Sequence, residues 1–191
     1  MRPLGPIDVS KSALLVVDMQ CGFDAPGFPK LSSRPDAPAL ELLAEWRRRG
    51  GQVVIIRHDS VEPGSVFRAG HPGNALRPGF EPAPGDWLVT KSVNSAFIGT
   101  DLDLRLRRAA LSTLLVFGLS TDMCVSTTVR MGANMGYRVV LAHDACAAFD
   151  LVGLDGATAP AADVHRINVV TLGNEFAEAA KVEAIIARMV G

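Results

Sequence analysis

The stretch Ala-Leu-Leu-Val-Val-Asp at residues 13–18 decides the fold of this chain. Five consecutive apolar residues are followed directly by a carboxylate. Apolar residues that are continuous instead of alternating are typical of a strand covered on both faces, as in a parallel sheet. The sequence predicts five such buried strands, at residues 13–17, 52–57, 87–90, 113–117 and 138–142.

Helical patterns lie between these strands. Residues 39–49 place Leu40, Leu43 and Trp46 on one face before a glycine pair ends the helix. Further helices are predicted at residues 102–110, 122–135, 161–172 and 182–190. Strands that alternate with helices through short connections predict an α/β fold, with a parallel sheet between helices, and we expect residues 1–191 to form a single domain.

The composition excludes several classes of protein. A formal net charge of -1 provides no basic surface for nucleic acid and no polybasic membrane anchor, so a small molecule is the expected partner. No apolar run approaches the roughly 20 residues that span a bilayer, and residues 1–10 lack the apolar stretch of a signal peptide. The three cysteines include no C-x-x-C pair, which argues against a disulfide framework or a structural zinc site. We expect a cytoplasmic protein with reduced thiols.

The candidate chemistry lies where the predicted strands end, because ligands of parallel sheets bind beyond the carboxyl ends of the strands. Asp18 directly follows the first strand, and its partial burial would raise its pKa, as suits a general base. Taken alone, Asp18 is equally well explained as a residue that caps a turn. Lys91 ends the third strand, where a lone lysine is usually a surface residue.

Cys124 follows the fourth strand, near the first turn of the next helix. A helix N-terminus stabilises anions and exposes backbone N–H groups, so we expect a lowered pKa for this thiol and donors for an oxyanion. The alternative, a buried inert cysteine, fits Cys146 better. Cys21 is interpreted as an incidental loop thiol.

Together, the three groups can carry out a reaction that none of them could carry out alone. Lys91 can hold Asp18 ionised, and Asp18 can accept the proton of Cys124 and later deliver it to a leaving amine. The thiolate would attack a carbonyl carbon and form a thioester that water hydrolyses. This mechanism needs no histidine.

Several segments resemble the isochorismatase-like cysteine hydrolases, a superfamily that includes nicotinamidases and N-carbamoylsarcosine amidases. They are LVVDMQ at residues 15–20, SAF at 95–97, GLSTDMCV at 118–125 and DACA at 144–147. The resemblance implies a three-layer α/β/α fold with a six-stranded parallel sheet of order 3-2-1-4-5-6, and a catalytic triad of Asp18, Lys91 and Cys124. It also implies a cis peptide between Leu119 and Ser120, an oxyanion hole made by the backbone N–H groups of Ser120 and Cys124, and a homodimer or homotetramer.

One departure from the family concerns metal binding. Nicotinamidase-type members carry an Asp-x-His pair and a later histidine as metal ligands, whereas this chain has His-Asp-Ser at residues 58–60. We therefore expect no metal and no cofactor. His71 is interpreted as a solvated loop residue, with a metal ligand in that loop as the alternative. Nicotinamide becomes a less favoured substrate. The candidate substrate-binding residues are Gln20, Phe23, His58, Phe97 and Thr121, with core packing as the alternative for both phenylalanines.

Three other functions are less compatible with the sequence. Cys124 and Arg130 have the C-x5-R spacing of a phosphatase loop, but the residues between them include two valines and no glycine to curl around an anion. A binding protein without catalysis would not need the triad. Isochorismatase-type cleavage of a vinyl ether would not need the thiol. The sequence favours a hydrolase that cleaves the C–N bond of a small amide, carbamoyl or lactam compound, with specificity set by the loops at residues 22–33 and 61–80.

Overall fold

The computed structural model describes residues 2–191, and a six-stranded parallel sheet lies at its centre. Its strands are β1 (Ser12–Val17), β2 (Gln52–His58), β3 (Trp87–Lys91), β4 (Thr113–Leu119), β5 (Arg138–Ala147) and β6 (Glu178–Ala180). Across the sheet they run in the order β3-β2-β1-β4-β5-β6, and every neighbouring pair is parallel. The strand order expected from the resemblance is confirmed.

Five α-helices flank the sheet in a three-layer α/β/α arrangement. They are α1 (Asp36–Arg48), α2 (Leu102–Arg108), α3 (Ser126–Asn134), α4 (Ala161–Glu175) and α5 (Val182–Ile186). Helix α1 packs with α5, and α3 packs with α4. Within residues 2–191, no helix combines the length and the apolar character that crossing a bilayer would require.

Several segments differ from the pattern in the sequence. The strand predicted at residues 138–142 extends to Ala147, and the hairpin of Leu151–Val152 with Thr158–Ala159 was not predicted. The prediction of strands from continuous apolar residues missed β6, because this three-residue strand is only half-buried and contains no long apolar stretch. The helix predicted at residues 182–190 ends at Ile186, because Met189–Val190 pairs in parallel with Ile7–Asp8. The helix predicted from residue 122 begins with a π-helical turn, Thr121–Val125.

The strands β1 and β4 form the centre of the core and set the position of the site. Every residue of both strands is buried. At Gly118, φ is +137°, and a Cβ atom there would lie 1.9 Å from the carbonyl oxygen of Val17. Only glycine allows the two strands to approach so closely at this end. The residues that follow β1 and β4 are therefore held side by side.

Candidate active site

The side chains of Asp18, Lys91 and Cys124 meet at the carboxyl edge of the sheet. Asp18 follows β1, Lys91 ends β3, and Cys124 lies in the π-helical turn after β4. The Lys91 Nζ atom is 2.6 Å from Oδ2 of Asp18 and 3.3 Å from Sγ of Cys124. The fold thus brings together the carboxylate, ammonium and thiol that the sequence singled out, with the ammonium in contact with both other groups.

Asp18 is held rigidly at the end of its strand. Its backbone has φ of +50°, a conformation that non-glycine residues rarely adopt, and its N–H donates to the carbonyl of Ile56 at 3.0 Å. The carboxylate is buried, and within residues 2–191 no group donates it a well-directed hydrogen bond in addition to the ion pair with Lys91. Burial raises the pKa of Asp18, and the charge of Lys91 opposes that rise. A carboxylate with few hydrogen bonds and a raised pKa is a better proton acceptor.

Lys91 is buried and fully occupied by partners. Besides Asp18 and Cys124, its Nζ atom lies 3.2 Å from Nδ1 of His58 and donates to the carbonyl of Val93 at 3.2 Å. Burial lowers the pKa of His58, and the nearby Lys91 charge lowers it further. A neutral His58 imidazole can then accept a hydrogen bond from Lys91.

The environment of Cys124 corrects the expectation of a lowered thiol pKa. Burial, together with the nearby Asp18 carboxylate, raises the pKa of Cys124 to about 12, although the charge of Lys91 opposes the rise. Desolvation and repulsion between like charges outweigh the benefit of the helix start in this turn. The resting thiol is protonated at neutral pH, so its use as a nucleophile requires a base.

The loop between β4 and the π-helical turn contains the expected cis peptide, between Leu119 and Ser120. The carbonyl of Ser120 accepts hydrogen bonds from the N–H groups of Met123 and Val125, at 3.2 and 3.1 Å. Ser120 and Cys124 both line the cavity described next. The use of their N–H groups as an oxyanion hole stays a prediction.

A cavity of about 270 Å³ opens onto Asp18 and Cys124. Its inner end carries polar groups, and most of its remaining surface is aromatic or aliphatic. The polar lining residues are Asp18, His58, Asn94, Ser120 and Cys124, with Asp150 nearer the exposed hairpin, and the apolar ones are Phe23, Phe28, Pro29, Phe67, Met123, Phe149 and Leu151.

Of the predicted substrate-binding residues, His58 and Phe23 line this cavity, whereas Gln20 does not. The buried amide of Gln20 donates to the carbonyls of His58 and Asn74, at 3.1 and 2.9 Å, and its oxygen accepts from the N–H of His58 at 2.9 Å. With all three bonds directed at backbone groups, Gln20 joins the end of β2 to the following loop instead of facing a ligand.

Phe97 and Thr121 also lie outside the cavity lining. Phe97 is 8% exposed and stacks on Tyr137 with ring centroids 6.0 Å apart, so the core-packing alternative describes it correctly. The hydroxyl of Thr121 is 2.9 Å from Nδ1 of His165, in a contact between the π-helical turn and α4. The structure places neither residue at the cavity, and their role in substrate binding stays a prediction.

Sequence reasoning missed most of the apolar wall. Phe28 and Phe67 lie in the two loops expected to set specificity, but nothing in the sequence separates them from other loop residues. Phe149 follows β5 and carries no motif. Asn94 could have been found from the sequence, because it lies only three residues after Lys91 in the chain. In the structure, its Oδ1 is 3.9 Å from Sγ of Cys124.

The site contains a donor set that a metal ion could use, but the ammonium of Lys91 contacts all of it. Ligand atoms of Asp18, His58 and Cys124 lie within 4.8 Å of one another. A cation placed among them would have to displace Lys91 from each contact. Asp59 is directed elsewhere, since its Oδ1 accepts from Arg57 at 3.0 Å and from Asn74 at 2.8 Å. The residues present do not fit a divalent metal.

His71 and Arg130, the remaining candidates from the sequence, lie away from the thiol. Nδ1 of His71 accepts from the N–H of Gly73 at 3.0 Å, which caps a short turn. The guanidinium of Arg130 lies over the ring of Phe176, 4.6 Å from its centroid. Because the segment from Cys124 to Arg130 is helical, it forms no phosphate-binding loop.

Comparison with known proteins shows one family. Residues 12–179 match the family model described as the isochorismatase domain. Streptothricin hydrolase from Streptomyces noursei is 37% identical in a match that covers 85% of this chain and 66% of that protein. Ureidoacrylate amidohydrolase RutB from Stutzerimonas stutzeri is 30% identical, covering 71% of this chain and 69% of that protein. The crystal structure of an isochorismatase-family protein from Chromobacterium violaceum has a TM-score of 0.92 and 39% identity, covering 98% of this chain and 97% of that one.

Proposed function

The chain belongs to the isochorismatase family of hydrolases, and from that premise we propose that it cleaves an amide-type C–N bond of a small molecule through a thioester on Cys124. One observation carries the proposal: the ammonium of Lys91 bridges the carboxylate of Asp18 and the thiol of Cys124, at 2.6 and 3.3 Å. The proposed activity covers amide, carbamoyl and lactam compounds.

In the first half of the reaction, the thiol proton passes to the Asp18 carboxylate while Sγ of Cys124 bonds to the carbonyl carbon. Because the pKa of Cys124 is raised to about 12, this proton transfer has to accompany the attack. The carbonyl oxygen takes up the negative charge, which we assign to the N–H groups of Ser120 and Cys124. Collapse of the tetrahedral species breaks the C–N bond as protonated Asp18 delivers its proton to the leaving amine.

In the second half, a water molecule attacks the thioester carbon and gives a proton to Asp18. The C–S bond breaks, the carboxylic acid leaves, and the proton returns to the thiolate. The ammonium of Lys91 contacts both Asp18 and Cys124 and stabilises whichever of them is anionic. Asp18 thus acts as base and then as acid in each half of the reaction, with no net proton change on the protein.

Two features favour amide cleavage over the alternatives. A vinyl-ether hydrolase has no need of a thiol, whereas this chain keeps Cys124 in contact with a cation and at the floor of a cavity. An amine leaving group has to be protonated, and Asp18 with its raised pKa meets that need. The amidohydrolase activity of the relative RutB agrees with this choice.

Intact-mass spectrometry after incubation with a panel of small amides, ureas and lactams tests the proposal. We expect an acyl adduct on Cys124 that builds up before product release, and no adduct and no turnover in Cys124→Ala. The matched control is Cys21→Ala, which removes a thiol outside the cavity lining and should keep both. Full turnover by Cys124→Ala would refute the covalent mechanism and favour a vinyl-ether type of hydrolysis.

We also propose that the protein works as a homo-oligomer in the cytoplasm. All three cysteines are free, as suits a reducing compartment. Apolar side chains that would gain from burial are exposed near the cavity, on the hairpin Leu151–Val152 and Thr158–Ala159 and on α4; they include Val152 at 77% and Ile167 at 55% exposure. Light scattering coupled to size exclusion checks the oligomeric state, and a monomeric mass would contradict it.

A further inference from the structure

The apolar half of the cavity is a continuous aromatic surface made of Phe23, Phe28, Phe67 and Phe149, here called the aromatic wall. The ring of Phe23 has its centroid 4.6 Å from that of Phe67, and 5.5 Å from those of Phe28 and Phe149. Phe28 and Phe149 meet edge to face at 5.0 Å. These contacts are in the range of favourable aromatic packing, so the four rings support one another as a single surface.

Hydrogen bonds between three loops hold the aromatic wall in place before any ligand arrives. Ser32 exchanges two hydrogen bonds with Ala148, at 2.8 and 3.1 Å, which joins the loop of Phe28 to the segment of Phe149. Asn74 donates to the carbonyl of Phe67 at 2.7 Å. The aromatic wall is therefore held in place by the fold itself.

Gly22 provides the space that one ring of the wall requires. A Cβ atom at residue 22 would lie 2.6 Å from the ring of Phe67 and 2.9 Å from the carbonyl of Gly73. Any side chain at this position would push the ring of Phe67 out of the wall. The close approach of the two loops depends on this glycine.

The charges that line the cavity itself are unsuited to an anionic ligand. The lining includes two carboxylates, Asp18 and Asp150, and contains neither arginine nor lysine among the described residues. Lys30 and Arg34 line a neighbouring pocket that shares Phe23, Phe28 and Pro29, and Arg34 is paired there with Asp24. Lys91 lies behind the lining and is already paired with Asp18. A ligand carboxylate placed against the wall would lose its hydration without gaining a counter-ion, which is costly in an apolar site.

The size of the cavity limits the ligand as well. Its volume of about 270 Å³ lies just below the lower end of the range of roughly 300 to 1,000 Å³ that is typical of small-molecule pockets. We propose that the substrate is an uncharged carboxamide of about this size whose acyl group is flat and apolar, and that the aromatic wall selects it over amides that carry a carboxylate. This inference rests on the proposed amide hydrolysis, in which Cys124 attacks the carbonyl carbon, and it assigns the acyl group to the aromatic wall.

Two probes of similar size test the inference: benzamide, which is flat and apolar, and succinamate, which carries a carboxylate. Wild-type kcat/KM for benzamide should exceed that for succinamate by at least about a hundredfold, because the wall desolvates the anion without pairing it. Binding to Cys124→Ala, measured by calorimetry, should show the same preference without chemistry. Equal or better use of succinamate, or binding of neither probe, would overturn the inference.

The two measurements separate this inference from the proposed function. If Cys124→Ala binds benzamide in preference to succinamate while wild type hydrolyses neither, the proposed selectivity is supported and the proposed amide hydrolysis is refuted. If wild type hydrolyses succinamate through a Cys124 adduct at least as well as benzamide, the hydrolysis stands and the selectivity fails.

A variant of the aromatic wall tests whether the wall is the part of the cavity that discriminates between the two probes. Phe28 is only half-buried, so Phe28→Ala should fold, and it should raise KM for benzamide about tenfold while leaving that for succinamate unchanged. A merely structural defect would affect both probes equally. The control is Val61→Ala, a 72% exposed residue in the loop of Phe67 that does not line the cavity and should change neither value. An unchanged preference in Phe28→Ala would refute the role of the wall.

Discussion

Replacing Asp18 by Asn should make Cys124 more reactive toward iodoacetamide while it slows hydrolysis. The carboxylate raises the thiol pKa through its charge, and Lys91 lowers it. Removing the carboxylate leaves the ammonium of Lys91, 3.3 Å from Sγ, with the thiolate as its remaining anionic neighbour. The two activities should therefore change in opposite directions.

The expected size of the change follows from the distance between the two groups. Their oxygen and sulfur atoms lie within 4.8 Å, and two unit charges at that separation interact by about 3.5 kcal/mol at an effective dielectric constant of about 20. Loss of that repulsion increases ionisation of the thiol by more than about a hundredfold. Because a thiolate of lower pKa is a weaker nucleophile, the net gain in alkylation rate is about twentyfold.

The assay is the rate of alkylation at pH 7.5, with each cysteine followed by peptide mass mapping. Cys146 is fully buried and serves as the unreactive reference within the same chain. In wild type, the Cys124 rate should keep rising with pH through 10, because the thiol pKa lies near 12. Lys91→Met should slow alkylation below the wild-type rate. An Asp18→Asn thiol that reacts no faster than wild type would refute the electrostatic account of the site.

Three further predictions concern pH, folding and the loops. Asp18 must be ionised to act as base, and its pKa is raised. We therefore expect kcat/KM to fall with decreasing pH, with a midpoint above the ordinary carboxyl pKa of 3.8. A pH–rate profile with a midpoint at or below 3.8 would contradict this. Gly118→Ala should give no folded protein, as judged by circular dichroism, because its Cβ would lie 1.9 Å from a backbone oxygen. Gly85→Ala is the control: this glycine has φ of +93° and open space around it, so the change should lower the free energy of unfolding by only about 1 to 2 kcal/mol. Asn74→Ala should lower the free energy of unfolding in urea by about 2 kcal/mol, because its amide donates to three acceptors, and a loss below about 0.5 kcal/mol would count against this role.

The strands and the three central site residues could be predicted from sequence because both depend on local order along the chain. Continuous apolar runs identify strands buried on both faces, and a charged or nucleophilic residue after such a run has to emerge at one edge of a parallel sheet. Asp18 and Lys91 were found in this way. The short strand β6 was missed by the same reasoning, because its half-buried residues carry no such run.

Order along the chain is enough to predict five of the six central strands and the chemical groups that meet at their ends, whereas only the folded molecule shows what surrounds those groups. Phe23 and Phe97 look alike in sequence, yet one faces the cavity and the other stacks in the core, because packing between distant segments decides where a ring lies. The pKa of Cys124 depends likewise on burial and on its distance from Asp18, and neither can be read from the position of the residue near a helix start. Local pattern is set by neighbours along the chain, while desolvation and cavity shape arise only from contacts between residues far apart in it.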